Sequence, residues 1–242
     1  MLQFATTRWS LIMQARGGPE QARQALESIC RNYRRPVVAF IRHRGHDASE
    51  AEDLAQDFFT RLLERRWDTQ ADPERGRFRA FLLTSLRNFL ANSRVAAAAV
   101  KRGGGLASVP IDDALAVLAD TGGCTPEQAF ERAWALTVIE RSFERLREEA
   151  ERAGKLALFE RLEPHLGEGA GPADYRRLGE QLSLRPNTVA VTVHRLRARL
   201  RDLVRAELAD QTGDGADIDQ ELRAMRAALL AHAAPESGSG GN

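Results

Sequence analysis

The stretch SLRPNTVAVTVHRLRARLRDLV, Ser183 to Val204, begins with small and β-branched residues and continues with leucines set among arginines. Pro186 suits the first turn of a helix, where its missing N–H has no intrahelical partner to lose. At about 100° per residue, four apolar residues form one stripe that we predict to be buried: Val189, Val193, Leu196 and Leu200. The opposite side of this helix carries Asn187, Val191, His194, Arg195 and Ala198.

The exposed side of this predicted helix suits the major groove of DNA. Small residues let the backbone approach the bases, a valine can contact a thymine methyl group, and arginine reaches guanine or phosphate. The preceding DYRRLGEQL predicts a short amphipathic helix, with Gly179 at a close helix crossing and Ser183 in a tight turn. Together these features predict a helix-turn-helix. An ordinary helical hairpin with a basic exposed face remains the alternative.

Helical periodicity continues along most of the chain, and no segment shows the sustained alternation of a strand. The helical segments are Gln21–Gly45, Ala48–Trp67, Phe78–Val100, Pro126–Leu166, Asp174–Leu182 and Pro186–Leu208. We therefore predict an all-α fold. KRGGG (Lys101–Gly105) and the acidic stretch after it predict a flexible linker between two domains, and GEGAGP (Gly167–Pro172) predicts a loop within the second. The final PESGSGGN predicts a disordered end.

The charged residues are grouped in blocks of one sign. Arg75–Arg102 contains seven basic residues and no acid, and Arg185–Arg205 contains six arginines and one acid. Asp47–Thr60 and Gly103–Glu131 each hold five acids and no base, and Glu207–Glu221 holds six acids and no base. Two basic segments separated by acidic ones predict two nucleic-acid contacts on one chain. Solvated helix faces would explain the same charges.

The composition argues against membrane and secreted classes. With 43% hydrophobic and 29% charged residues among 242, the chain has a globular profile. It has no apolar run near the roughly 20 residues of a membrane helix. The start of the sequence lacks a signal-peptide pattern, so we expect a cytoplasmic protein that does not bind membranes. Cys30 and Cys124 form no C-x-x-C pair, which argues against a disulfide framework or a zinc site.

Enzymatic interpretations find little support in the sequence. KRGGG lacks the lysine and hydroxyl that end a phosphate-binding loop. His43 and His46 have no acid or cysteine to complete a metal set, and they more simply mark a basic helix end. No Ser-His-Asp or Cys-His arrangement has supporting local structure. We therefore expect no catalytic residue, no cofactor and no metal.

Three blocks of sequence carry a family resemblance. They are EAEDLAQDFFTRLLE (Glu50–Glu64), RFRAFLLTSLRNFLANSRVAAAAVKR (Arg77–Arg102) and YRRLGEQLSLRPNTVAVTVHRLRARLRDLV (Tyr175–Val204). In this order they resemble the core-binding helix, the promoter-melting helix and the DNA-binding domain of bacterial sigma factors. The resemblance is to the sigma-70 family, and to its extracytoplasmic-function (ECF) type, which lacks the middle domain of larger members. It implies a protein that binds core RNA polymerase, directs it to specific promoters and helps open the DNA.

The resemblance implies a domain plan. Residues 1–100 would hold an N-terminal arm and sigma domain 2, residues 101–125 a flexible acidic linker, and residues 126–208 the helix-turn-helix sigma domain 4. Residues 209–242 would form an acidic C-terminal extension with a short amphipathic helix. The implied partners are promoter DNA and core polymerase, through the clamp of its largest subunit and the flap of its second-largest subunit. An anti-sigma factor or another regulator is a further implied partner.

The resemblance also assigns binding residues. In the Ala48–Glu64 helix the inward stripe leaves an acidic, amide-bearing outer face that suits a basic protein helix, although a solvated acidic face explains it equally. The core-polymerase set is Glu52, Asp53, Gln56, Asp57 and Thr60. The minus-ten set is Arg77, Arg79, Arg87, Asn88, Asn92 and Arg94, in which Asn88 and the loop Trp67–Arg79 would hold a flipped base. The minus-thirty-five set is Arg185, Asn187, Thr188, Ala190, Val191, His194, Arg195 and Arg199.

Departures from the family pattern bear on specificity. Ser183 stands where the family usually has a turn glycine, and Arg185 where a serine usually caps the recognition helix. Phe81 replaces a buried tryptophan, and Asn88 and Asn92 lack the family's accompanying aspartate. The second domain also carries a longer excursion, ERAGKLALFERLEPHLGEGAGPAD.

Other functions and the role of the tail stay open at the level of sequence. A helix-turn-helix regulator that binds duplex DNA alone, and a helical adaptor that binds protein only, are the alternative classes. In the tail, Ile218, Leu222, Met225 and Leu229 form an apolar stripe on a helix too short to be stable alone. We expect this helix to fold back on either domain, where its acids offset arginines, unless it is a frayed extension.

Overall fold

A computed structural model describes residues 19–64, 78–101, 124–167, 171–209 and 218–231 of the chain. Within these ranges it contains eight α-helices and no strand, which confirms the all-α prediction. The helices are α1 (Pro19–Arg42), α2 (Ala48–Glu64), α3 (Phe78–Lys101), α4 (Pro126–Arg152), α5 (Leu156–Leu162), α6 (Pro172–Leu182), α7 (Pro186–Ala209) and α8 (Ile218–Leu230), with a 3₁₀ turn at Glu163–His165.

The described residues form two compact units. Those up to Thr137, together with those from Ala209 onward, belong to unit 1, and Val138–Leu208 form unit 2. The division differs from the domain plan in two places. The first part of α4, to Thr137, belongs to unit 1, and so does the tail helix α8. The ion pairs described below explain why α8 belongs to unit 1.

Local chemistry fixes where several helices begin. Thr125 and Gln128 form a capping box before α4: the Thr125 hydroxyl accepts from the Gln128 N–H at 3.2 Å, and the Gln128 side chain accepts from the Thr125 N–H at 2.8 Å. Asp47 caps α2 by accepting from the Glu50 N–H at 2.8 Å. Helices α4, α6 and α7 each begin with proline at the first helical position, where no N–H is needed.

The core of unit 1 is aromatic and lies among α1, α2, α3 and the first turns of α4. Tyr33 meets Phe78 edge-on at 5.2 Å between ring centroids, and Phe58 lies 5.6 Å from Phe89. The predicted inward stripe of α2 is buried, apart from the half-buried Leu54. Because these apolar stripes face inward, the polar sides of α2 and α3 are left outward.

The core of unit 2 joins α4, α5, α6 and α7. Val189 and Val193, from the predicted stripe of α7, are fully buried, and Leu196 and Leu200 pack against the same cluster half-buried. The excursion that departs from the family pattern supplies three core residues, Phe159, Leu162 and Leu166. It is therefore an integral part of this unit's core.

The predicted helix boundaries hold to within three residues wherever the structure describes them, with one exception. The periodic segment Pro126–Leu166 is divided, because α4 ends at Arg152. Gly154 lies there with a φ of 65°, and the Lys155 N–H donates to the Ala150 carbonyl at 2.8 Å, which closes the helix as a Schellman turn. Residues 102–123 of the predicted linker, three of the six residues of the GEGAGP loop and the PESGSGGN end lie outside the described residues.

The turn between α6 and α7 depends on a left-handed residue, Ser183, and on a close backbone approach at Gly179. Ser183 adopts φ 54° and ψ 38°, the left-handed region that glycine enters more readily. A Cβ added to Gly179 would lie 2.7 Å from the Leu184 carbonyl oxygen and 3.4 Å from the Pro186 nitrogen. The close helix crossing predicted at Gly179 is thereby confirmed.

Replacing Gly179 by alanine should destabilise unit 2. The added methyl group meets backbone rather than a movable side chain, so we expect a loss of about 1–3 kcal/mol in the free energy of unfolding. Urea unfolding followed by circular dichroism measures it. Gly167→Ala is the matched control, because nothing lies within 4 Å of its added Cβ. Equal stability of Gly179→Ala and wild type would contradict the close contact.

Candidate nucleic-acid interface

Helix α2 presents the predicted acidic face to solvent. Asp53, Gln56, Asp57 and Thr60 are all exposed. Glu52 differs, because it is half-buried and its carboxylate pairs with Arg34 at 2.7 Å. The Thr60 hydroxyl donates to the Gln56 carbonyl of its own helix at 2.9 Å. This surface therefore carries two exposed carboxylates and one amide on a rigid helix.

Helix α3 exposes two amides on one side. Asn88 and Asn92 are four residues apart and both exposed, so their side chains are neighbours on the helix surface. Leu82, Leu86 and Phe89 hold the opposite side in the core. Of the other predicted minus-ten residues, Arg77 and the side chain of Arg94 lie outside the described residues.

Arg79, predicted to contact DNA, is instead enclosed by protein groups. It is 8% exposed, and its guanidinium carbon lies 3.7 Å from the centroid of the Trp134 ring. Its Nε donates to the Glu131 carboxylate at 3.0 Å, and its Nη1 donates to Glu221 at 2.7 Å. Because Glu131 lies on α4 and Glu221 on α8, this one guanidinium joins three parts of unit 1.

Arg87 lies two turns further along α3 and is also ion-paired. Its Nε and Nη2 donate to one oxygen of Glu127, at 3.1 and 2.8 Å. The two side chains are 48% and 36% exposed, so this is a surface pair. Glu127 and Glu131 are four residues apart on α4, which brings them to the same side of that helix. No feature of the sequence had singled out these acids or Trp134.

Helix α7 exposes most of the predicted minus-thirty-five residues. The exposed members are Arg185, Asn187, Thr188, Val191, His194, Arg195 and Arg199, and Ala190 is half-buried. Val191 is one of the few large apolar residues at the surface, at 41% exposure. Helix α7 thus displays small, apolar, polar and cationic groups together, the chemistry that reads base edges in the major groove.

Two arginines of α7 have structural partners in unit 2. Arg197 is half-buried and donates to three consecutive carbonyls within the excursion, those of His165, Leu166 and Gly167. Arg199, assigned to DNA, donates through Nε and Nη2 to the two oxygens of Glu149 on α4, at 2.9 and 2.7 Å. These contacts fix α7 against the rest of the unit.

Two carboxyl groups of unit 2 are held in the ionised form. The Arg199 hydrogen bond lowers the pKa of Glu149; burial opposes it, and the charges of Arg199, Arg152 and Arg145 lower the pKa further. The Gly171 N–H, which donates to Asp174 at 3.0 Å, lowers the pKa of Asp174. Both groups orient helices, α7 in the first case and the start of α6 in the second.

Metal-ligating side chains are not brought together in the described residues. No group of three or more His, Cys, Asp and Glu side chains there could hold a metal ion. His43 bonds its own helix through the Ala39 carbonyl, and His46 pairs with Glu50 at 3.0 Å. Burial raises the pKa of the Cys30 thiol to about 11, which keeps it protonated.

Residues 29–98 match the family model of Sigma-70 region 2. The match covers most of α1, all of α2 and nearly all of α3, and it supports a sigma factor role in promoter recognition and RNA polymerase binding. Searches of curated proteins and of solved structures found no match. In the part of the chain that the structure describes, no helix has the length and apolarity needed to span a membrane.

The Glu149–Arg199 contact should make stability depend on acidic pH. The folded pKa of Glu149 lies below its ordinary 4.5, so its contribution is present above that pH and is lost as the pH falls through the folded value. We expect Glu149→Gln to lower the free energy of unfolding modestly at pH 6, because the pair is partly exposed, and its difference from wild type to shrink as the pH falls below 4.5.

Urea titrations at several pH values measure this dependence. Glu148→Gln is the matched control, since Glu148 is the exposed neighbour of Glu149 on α4. A difference between wild type and Glu149→Gln that stays constant from pH 6 to pH 3 would contradict the ionised pair.

Proposed function

We propose that this chain is an ECF-type sigma factor, which binds core RNA polymerase in the cytoplasm, directs it to promoters and helps open the DNA. The match of residues 29–98 to Sigma-70 region 2 carries the proposal. Its finer parts rest on the exposed faces of α2, α3 and α7. An anti-sigma factor or another regulator would act by covering one of these faces.

Helix α2 is the proposed contact with the polymerase. Its exposed Asp53 and Asp57 are one turn apart and lie beside Gln56. A carboxylate face of this kind complements a basic helix and guides its approach over long range. By resemblance the partner is the coiled-coil clamp of the largest polymerase subunit. The apolar stripe on the other side of α2 is occupied by the unit 1 core, so the acidic side is the one available for docking.

Helix α3 is the proposed contact with the minus-ten element. Asn88 and Asn92 offer donors and acceptors for a base edge, and a base taken out of the stack needs such groups for its Watson–Crick edge. The exposed amides are one turn apart on a helix anchored by a buried aromatic core. That anchoring reduces the entropy lost on binding.

Unit 2 is the proposed reader of the minus-thirty-five element. Helix α6, the turn at Ser183 and helix α7 make a helix-turn-helix, with α7 as the recognition helix. Arg195 and Val191 are exposed on its outer side, suited to a guanine edge or phosphate and to a thymine methyl group. By resemblance the same unit would meet the flap of the second-largest polymerase subunit.

The ECF type rests on the distance between the two units along the chain. Only residues 102–125 separate α3 from α4, which is too short for another folded domain, since domains usually exceed about 50 residues. The middle domain of larger sigma factors therefore has no place between them.

In vitro transcription with purified core polymerase on a library of random promoters tests the function. We expect the chain to direct initiation at a subset of templates with a shared pair of elements. Tight operator binding without polymerase, and no directed initiation, would instead identify a stand-alone regulator. Polymerase binding without directed initiation would identify an adaptor.

Reversing two charges on α2 should abolish polymerase binding. Asp53→Arg with Asp57→Arg replaces exposed acids by cations, so repulsion from a basic helix replaces attraction while the core is untouched. Co-purification with core polymerase measures it. Glu144→Arg with Glu148→Arg is the matched control, because these acids are also exposed and four residues apart, on α4. Full binding by the α2 variant would remove this face from the docking site.

Mutations in α7 and in α3 should impair different steps, binding of the upstream element and strand opening. Arg195→Ala should weaken use of promoters that need the upstream element, by about 1–3 kcal/mol if the arginine reads a base. Asn88→Ala should leave upstream binding intact and reduce strand opening. Permanganate footprinting for opening and a band-shift assay of the polymerase complex tell them apart. Wild-type opening by Asn88→Ala would exclude this amide from the minus-ten site.

A further inference from the structure

We propose that three glutamates hold Arg79 and Arg87 of α3 in place of DNA phosphates, so that unit 1 in the free chain is restrained from binding DNA. The three are Glu127 and Glu131 on α4 and Glu221 on α8, and together we call them the glutamate latch. The proposal rests on the proposed function, because it concerns how the DNA face of region 2 is regulated. It assigns the tail helix a role as an internal competitor of DNA.

The latch occupies the groups that a phosphate would use. Arg79 directs Nε at one carboxylate and Nη1 at another, and Arg87 directs Nε and Nη2 at a third. A guanidinium binds carboxylate and phosphate oxygens through the same donors and geometry. While these hydrogen bonds persist, neither arginine can offer those donors to a nucleic-acid backbone.

Helix α8 brings the third carboxylate from a distant part of the chain. Glu221 is 3% exposed and Met225 is 9% exposed, so one side of α8 is buried in unit 1. The helix has 13 residues, a length that is marginal in water without tertiary packing. Its docking therefore depends on a small set of interactions, and the Arg79–Glu221 pair is among them.

The energetics allow exchange of the latch for DNA. Burying an ion pair removes both charges from water, and this desolvation offsets much of their mutual attraction. Arg79 faces two carboxylates, those of Glu131 and Glu221, so two buried or half-buried acids share this one guanidinium. Transfer of Arg79 to phosphates returns Glu131 and Glu221 to water, where carboxylates are well solvated. A negatively charged strand can therefore compete with the latch without a large energetic penalty.

The glutamate latch occupies two arginines of α3 and leaves its two exposed asparagines accessible. Asn88 and Asn92 are exposed, whereas Arg79 is enclosed and Arg87 is paired. The free chain should thus bind a single strand weakly, with few cation–phosphate pairs and a shallow dependence on salt. Opening the latch should add such pairs.

Fluorescence anisotropy with the full chain and a labelled single-stranded oligonucleotide tests the latch, over a range of KCl concentrations. We compare wild type with Glu127→Gln and Glu221→Gln. Each variant should bind several-fold more tightly, and log Kd should depend more steeply on log salt, by about 0.7 for each additional phosphate that an arginine neutralises. Glu27→Gln, an exposed acid on α1 of the same unit, removes the same charge away from the latch and should change neither quantity.

A double variant at the Arg87–Glu127 surface pair tests whether any gain in affinity depends on Arg87. Arg87 and Glu127 are both partly exposed, so their variants should remain folded. The tighter binding of Glu127→Gln should disappear when Arg87→Gln is added. Unchanged affinity and salt slope in both glutamate variants, tighter binding that persists without Arg87, or an equal effect in Glu27→Gln would each overturn the proposal.

A second route to opening avoids the buried ion pair. Met225→Glu places a charge in the buried side of α8 and should release this helix, seen as loss of amide protection in residues 218–230 by hydrogen exchange. DNA binding should then strengthen as in Glu221→Gln, and release of α8 without tighter binding would overturn the latch. Transcription by wild-type chain with core polymerase reports the proposed function separately, so a failed latch and a failed function are distinguishable.

Discussion

The enclosure of the Arg79 guanidinium organises unit 1. Glu131 and Glu221 lie 52 and 142 residues away along the chain, and both reach the same side chain. A guanidinium has five donors in a fixed plane and a face that stacks on aromatic rings, so a single arginine can join a ring and two carboxylates. Lysine has neither the fork nor the flat face. The arrangement explains why the tail belongs to unit 1, although the sequence separates them widely.

The arginines of α7 have different surroundings in unit 2. Arg195 is exposed on the outer side of α7, whereas Arg197 and Arg199 bond to neighbouring parts of the unit. On a helix, residues two apart point about 200° away from each other, so Arg195 and Arg197 lie on opposite sides of α7. Arg199 lies only about 40° around the helix from Arg195, yet Glu149 on α4 binds it. Position on the helix and the nearby acids together decide which arginines are bonded within the unit.

Much of the fold follows from local patterns in the sequence. The stripe of α7, the crossing at Gly179 and the inward side of α2 were predictable because periodicity and turn chemistry act within a few residues. Gly154 shows the limit of this approach, since a glycine that ends a helix has the same letter as one tolerated within it. The acidic face of α2 and the reading side of α7 were also visible as exposed patterns, and their functions remain predictions.

What the sequence did not indicate depends on packing between distant residues. Arg79 lies in a basic block that suggested DNA, but its surroundings are set by Glu131, Trp134 and Glu221. Each of these residues looks ordinary in its own segment. Charge patterning along a chain reports which side chains are charged, whereas three-dimensional packing decides which of them are already neutralised.

The bonding of Arg197 to three carbonyls has a consequence for how this protein can diverge. Main-chain oxygens are present whatever the side chain, so His165, Leu166 and Gly167 supply them independently of residue type. Substitutions at the solvent-facing positions of that segment can accumulate without removing these three acceptors. Arg197 has no such freedom, because its side chain supplies all the donors of this contact.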